Sequence, residues 1–337
     1  MPTARDVANR AGVSQSTVSR VLNNHPHVRP ETRKRVLDAI AELDYHPNQA
    51  ARSLVTQRTG SIGLVVGDIR NPFFAETAKG IVDTSRSYGY RVVLCTTDNQ
   101  DTLQSEAIKL LRSQEVDGLI FGSVRMDDAE VLALIESGFP CVLYNRVLKT
   151  DAGSYVVLDN RKGARMATEH LLKLGHRRIA VLTGSRQFST FAHRLEGYSE
   201  VLREYGIPVD RHLILDHQAY AADRIGTLRR LLGQRRPPTA IFALTDDYAL
   251  QVLDTLAELD VPVPEGMAVV GFDDIRIAGH SRIGLTTVAQ RKDLMGRLAV
   301  ESLMELITAR AEGRTPQPIR LVLEPQLIVR RTCGAQR

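Results

Sequence analysis

The chain has 337 residues, of which 43% are hydrophobic and 25% charged, close to globular averages; this argues against disorder and, at ~150 residues per domain, for two or three domains. No apolar run approaches the ~18 residues of a membrane span, the charged start MPTARDVANRAG lacks the apolar stretch of a signal peptide, and Cys95, Cys141 and Cys333 lie too far apart for a disulfide frame or zinc site. The net charge of +5 is unevenly placed: residues 1–60 carry nine Lys/Arg against five Asp/Glu, and the remainder is almost neutral. A basic head on a neutral body suggests a nucleic-acid partner.

Along the chain, Thr3 and Asp6 have capping-box spacing, Val7, Ala8 and Ala11 form an apolar face, and Gly12 permits the left-handed turn that ends a helix. Ser14 is placed to cap a second helix with Val18, Val21 and Leu22 on one side, and Pro30 suits the first turn of a third, with Val36, Ile40 and Leu43 at helical spacing. Three short helices with a tight turn between the first two predict a helix-turn-helix head over residues 1–46. Residues 47–60 read as a polar connector, with Asn48 capping a short helix from Gln49 to Val55, marginal by itself in water.

From Ser61 the texture changes. Apolar β-rich runs at Ile62–Val66, Arg91–Cys95, Gly118–Phe121, Cys141–Tyr144, Ile179–Leu182, Ala240–Ala243 and Ala268–Gly271 alternate with helical stretches such as Phe74–Ser87, Gln104–Ser113, Arg161–Leu174 and Ala249–Leu259. That alternation predicts parallel sheets covered on both faces, and the strands are too numerous for one sheet. The expected fold is therefore α + α/β: the helical head and hinge helix, then a core at 61–330 of two doubly wound lobes, an arrangement that resembles the periplasmic-binding-protein type. A long helix around Arg291–Ala311 carries Leu294, Leu298 and Leu306. The first lobe is assigned about 61–159 and 291–319, the second about 160–290 and 320–330, and 331–337 a tail. Two such lobes can hold a ligand at the carboxyl ends of their strands.

The segments TARDVANRAGVSQSTVSRVLN and VRPETRKRVLDAIAELDYHPNQAARSL, with LVTQRTGSIG, NPFF, VVGFDD and LTTVAQ further on, closely resemble the lactose/purine repressor (LacI/GalR) family over nearly the whole chain. The resemblance implies a cytoplasmic, nucleoid-associated bacterial regulator, most simply a repressor, that binds pseudo-palindromic operator DNA as a homodimer under allosteric control by a small molecule, expected to be a sugar or sugar derivative. It places Gln15, Ser16 and Arg20 in the major groove, where Arg reads guanine and Gln adenine by paired hydrogen bonds. Thr3, Ser14, Thr17 and Asn23 fall at backbone-contacting positions. Ala51, Arg52 and Leu54 fall on the hinge in the minor groove, with Leu54 as the wedge that unstacks a base step; packing of Leu54 on the core is the alternative. For the effector it nominates Phe74, Asn145, Arg146, Arg194, Asp246, Asp273 and Gln290, with Phe188 and Phe191 flanking an Arg194 loop as a further wall. Arg and carboxylate pairs suit vicinal hydroxyls, although Phe74 also fits a core position and Arg146 a structural ion pair.

One reading helix per head reads one half-site, so a two-fold dimer is expected, and the ending TCGAQR, without leucine heptads, favours a dimer over a tetramer. An enzyme is the rival class, but no GxGxxG follows the first strand, and neither GxxxxGK[ST] nor GxSxG occurs. His170, His176 and His193 lack metal-ligand spacing, so no catalytic residue, metal or cofactor is expected. An activator of the same family and a sugar-binding receptor remain alternatives, as do inducer and corepressor roles for the ligand.

Overall fold

The computed structural model describes residues 2–22, 25–45, 58–150 and 152–335. The short connector helix expected at 49–55, and with it Ala51, Arg52, Leu54 and also Asn23, lies outside the described residues. The chain forms two compact units, Met1–Thr59 and Gly60–Arg337.

In the first unit, α1 (Ala4–Ala11), α2 (Gln15–Leu22) and α3 (Pro30–Glu42) enclose a small core of Val7, Ala8, Ala11, Val18, Val21, Val36 and Ala39. The capping box is present: Asp6 N–H donates to Thr3 Oγ1 (3.3 Å) and Thr3 N–H to Asp6 Oδ2 (2.7 Å). Gly12 ends α1 at φ +62°, a conformation open to glycine at little cost. Arg10 on α1 bonds Glu42 on α3 at 2.6 Å.

The second unit alternates as expected. Its first lobe runs β1 (Ser61–Val66), α4 (Pro72–Ser87), β2 (Arg91–Thr96), α5 (Asp101–Ser113), β3 (Gly118–Phe121), α6 (Ala129–Glu136), β4 (Cys141–Tyr144) and β5 (Ser154–Leu158). The chain then crosses to α7 (Asn160–Lys173), β6 (Ile179–Thr183), α8 (Ser189–Glu204), β7 (Ile214–Asp216), α9 (His217–Ala222), α10 (Arg224–Leu232), β8 (Ala240–Ala243), α11 (Asp246–Glu258), β9 (Ala268–Val270) and β10 (Thr287–Ala289). It returns through α12 (Lys292–Ala311) and β11 (Arg320–Leu323) and ends near β12 (Gln326–Ile328). One sheet is parallel in the order β11-β5-β4-β3-β1-β2, the other parallel in the order β7-β6-β8-β9, and β10 pairs antiparallel with β12.

One expectation needs correction. Residues 320–330 do not all belong to the second lobe: β11 extends the first-lobe sheet beside β5, with Arg320 opposite Tyr155, and only β12 joins β10. A four-residue strand is assigned to a sheet by long-range pairing, which local pattern does not encode. Helix α12 buries Met295, Ala299, Leu303 and Leu306, and Leu294 and Leu298 are half buried. Its packing against α4 is close enough that a β-carbon at Gly296 would meet the Thr77 carbonyl at 2.9 Å. Among the described residues no helix is long and apolar enough to cross a membrane.

Candidate functional site

On the head, α2 turns Val18 and Val21 inward and leaves Gln15, Ser16 and Arg20 exposed on its outer surface. Ser14 caps the helix, its Oγ accepting from Thr17 N–H at 3.2 Å and lying 2.8 Å from Ser16 Oγ. Thr3 is likewise engaged as a cap yet stays exposed, and Thr17 is half buried.

Between the lobes of the second unit lies a cleft of about 1500 Å³. Its walls come from the carboxyl ends of strands in both sheets: Asp68 beyond β1, Asn145 and Arg146 beyond β4, Thr183 ending β6, Asp216 ending β7, Thr245 beyond β8 and Asp273 beyond β9. This is where an open parallel sheet presents a ligand site. Six of the seven nominated effector residues line it: Phe74, Asn145, Arg146, Arg194, Asp273 and Gln290. Phe188 and Phe191 line it as well.

The second-lobe wall is organised around Arg194, 2% exposed. Its Nε donates to Asn160 Oδ1 (2.8 Å), and its Nη1 to the Leu244 carbonyl (2.5 Å) and to Asp273 Oδ1 (3.3 Å), while the guanidinium lies 3.6 Å from the Phe272 ring centroid. Gln290 Nε2 donates to the same Asp273 oxygen at 2.5 Å. Burial pulls the Arg194 pKa down against the opposing charge of Asp273, and burial likewise pushes Asp273 up against Arg194. Opposite, Arg146 lies 3.8 Å from the Phe188 ring centroid and donates to Asn99 Oδ1 at 2.9 Å; burial lowers its pKa to about 10, so it stays charged at neutral pH. Asn145 Oδ1, Arg146 Nε and Gln290 Oε1 are buried without a hydrogen-bond partner among the described residues. Such groups carry a desolvation cost until something bonds them.

Two sequence readings change here. Arg194 stands on a helix, α8, and not on a loop. Asp246 is not a cleft residue: fully buried behind the wall, it accepts from Thr287 Oγ1 (2.5 Å) and Ile275 N–H (2.9 Å). It pins the β9–β10 region, and its neighbour Asp247 lines the cleft in its place. Successive helical residues point about 100° apart, so two adjacent acids share no face. Gly271 leaves room for this carboxylate, since a β-carbon there would collide with Asp246 Oδ1. Asp273 itself sits at φ +122°, in a region that strains any side-chain-bearing residue by about 1–3 kcal/mol and marks functional sites.

Sequence reasoning missed Asn160, which orients Arg194, and the aromatic stack of Tyr248 on His217 (3.7 Å between centroids) and Phe191 (5.8 Å) along the second-lobe wall. Burial lowers the His217 pKa, keeping its ring neutral near pH 7. No metal-binding cluster occurs among the described residues.

A helix-turn-helix head preceding a two-lobed core with a polar, aromatic-walled cleft defines an effector-responsive DNA-binding regulator. Residues 3–48 match the bacterial regulatory proteins of the lacI family, and residues 168–333 a periplasmic binding protein-like domain. The chain is 38% identical to the HTH-type transcriptional regulator CelR of Thermobifida fusca, over 98% of this chain and 97% of that protein. Among solved structures it is similar to a CelR–cellobiose complex (35% identity, TM-score 0.71, covering 98% of this chain and 100% of that one). It is also similar to the Lac repressor dimer bound to operator and the anti-inducer ONPF (27% identity, TM-score 0.82, 99% of each chain). The chain belongs to the LacI family of transcriptional regulators.

Proposed function

We propose that the protein is a repressor that binds a two-fold-related operator as a homodimer, and that a neutral carbohydrate in the cleft sets its operator affinity. No catalytic step or cofactor enters this reading, and the protein works in the cytoplasm, on the nucleoid. The observation that carries it is the buried Arg194–Asp273–Gln290 group facing the unpartnered Asn145 and Arg146 atoms across one cleft. Paired donors and acceptors of this kind fit vicinal hydroxyls, and the Tyr248, Phe191 and Phe188 rings supply apolar walls for a sugar ring. The lining carries five Asp against five Arg, which gives no net field for an anion and favours an uncharged ligand. CelR, whose solved complex contains cellobiose, makes a β-linked glucose disaccharide the first ligand to test.

Thermal shift against cellobiose, other neutral sugars, sugar phosphates and nucleobases tests the assignment. A neutral sugar at 100 times its Kd should stabilise the core by about 2.7 kcal/mol. A response confined to phosphates or nucleobases contradicts it.

For DNA, the assignment is base reading by Gln15, Ser16 and Arg20, backbone contact by Thr3, Ser14, Thr17 and Asn23, and minor-groove entry by Ala51, Arg52 and Leu54. A Leu wedge acts only where the duplex is kinked, so Leu54→Ala should weaken operator binding at least tenfold and non-specific binding hardly at all. Titration of both duplexes at one salt concentration checks this, and equal losses on the two would remove Leu54 from the wedge role.

A further inference from the structure

We propose that Glu76 and Lys292 are positioning residues that aim Asp273 into the cleft from the opposite lobe; the proposal rests on the reading of the cleft as the effector site. Both project from the first lobe, Glu76 from α4 and Lys292 from the first turn of α12. These helices are held in close contact by small residues, with Gly296 against the Thr77 carbonyl and Gly80 against the backbone of Asp293. From that support the pair grips a turn of the second lobe. Lys292 Nζ donates to the Asp273 carbonyl (2.9 Å) and to that of Asp274, and it lies 3.3 Å from Glu76 Oε2. Glu76 Oε1 accepts from Arg276 N–H at 2.9 Å. One carboxylate and one ammonium, 29% and 12% exposed, thus hold three points of the 273–276 backbone, the 273 and 274 carbonyls and the 276 N–H.

Within its own lobe the turn is held by Ile275 N–H on Asp246 Oδ2 (2.9 Å) and by Arg330 on Asp274 Oδ1 (2.7 Å), and the Lys292–Glu76 grip on its carbonyls and on Arg276 N–H is added from the other lobe. Asp273 and Asp274 both have positive φ, +122° and +49°, where residues with side chains are strained. The Asp273 side chain joins Arg194 and Gln290 on the cleft wall. The backbone that carries the cleft carboxylate is thus gripped from both lobes, and displacement of one lobe against the other shifts the Lys292 share of that grip on Asp273. Conversely, a ligand bonded to Asp273 biases the position of α4 and α12, as reciprocal coupling requires.

The test uses the full chain as wild type, Lys292→Met, Lys292→Arg, Glu76→Gln and the Lys292→Met/Glu76→Gln double variant. Amide hydrogen exchange across residues 274–276 is followed without ligand, and cellobiose affinity is measured by calorimetry. Lys292→Met should speed exchange and weaken cellobiose binding, each at least tenfold. Lys292→Arg, which keeps the cation and its donors, should return both to within about threefold of wild type. The double variant should lose less than the sum of the two single losses, because the two residues are paired with each other and grip one turn. Unchanged exchange in Lys292→Met, failure of Lys292→Arg to rescue, or faster exchange with unchanged affinity would overturn the proposal. If wild type does not bind cellobiose, that ligand is wrong, and exchange with its arginine rescue still decides the grip on the turn.

Discussion

Arg194→Ala is expected to abolish the carbohydrate response and to destabilise the core by about 3–5 kcal/mol, the cost of breaking one partner out of a buried ion pair. The removed guanidinium serves Asn160 Oδ1, the Leu244 carbonyl and Asp273 Oδ1 and covers the Phe272 ring. Its loss leaves three buried acceptors short of a donor, one of them a carboxylate. Arg194→Lys separates folding from binding: a single ammonium keeps the charge beside Asp273 but cannot reproduce the fork that spans three acceptors. The lysine variant should therefore recover much of the stability while binding sugar at least tenfold more weakly than wild type. Urea unfolding and calorimetric titration of both variants measure the two effects. Wild-type affinity in Arg194→Lys would show that the guanidinium geometry is not what the ligand recognises.

Asp246→Asn is expected to stabilise the protein above pH 7 and to flatten its stability profile between about pH 4 and 7. Burial and the nearby charge of Asp273 push the Asp246 pKa up to about 7, from an ordinary value of 3.8. The native state thus holds a proton that the unfolded chain has released. Stability from this group is fully present below the unfolded pKa and is lost as pH rises through the folded one. An asparagine carries no charge to desolvate, and it can still accept from Ile275 N–H and donate to Thr287 Oγ1, the two partners of the native carboxylate. The expected gain is about 1–3 kcal/mol at pH 8, shrinking toward zero near pH 4. Denaturant unfolding of both proteins at pH 4.5, 6 and 8 checks this, and a gain independent of pH would contradict the ionisation account.

Much of the fold was legible because its signals are local. The Thr3–Asp6 box, Gly12, and the alternation of apolar strands with amphipathic helices depend on neighbours within a few residues, and the structure keeps them. What was not legible depends on residues far apart in sequence. Helix α8 opens on Phe188, which supplies no side-chain cap, so the usual start signal is missing and nothing local in the sequence places Arg194 on a helix. The Arg194–Asn160 bond and the Lys292–Glu76 pair join residues that only the tertiary fold brings together. Asp246 and Asp247 are indistinguishable as letters, yet one is walled in by Thr287 and Ile275 while the other faces the cleft. The family resemblance pointed to strand ends that border one cleft, and geometry separates the residues that line it from Asp246 behind them.

Whether sugar in the cleft sets DNA binding is decided by operator affinity measured with and without saturating cellobiose, or the best neutral sugar from the thermal-shift panel, in wild type and Arg194→Lys. The cleft account predicts that the sugar changes wild-type operator affinity by about 5- to 150-fold, that operator DNA changes sugar affinity by the same factor, and that Arg194→Lys requires far more sugar for the same effect. An operator affinity indifferent to a sugar that demonstrably occupies the cleft would contradict it.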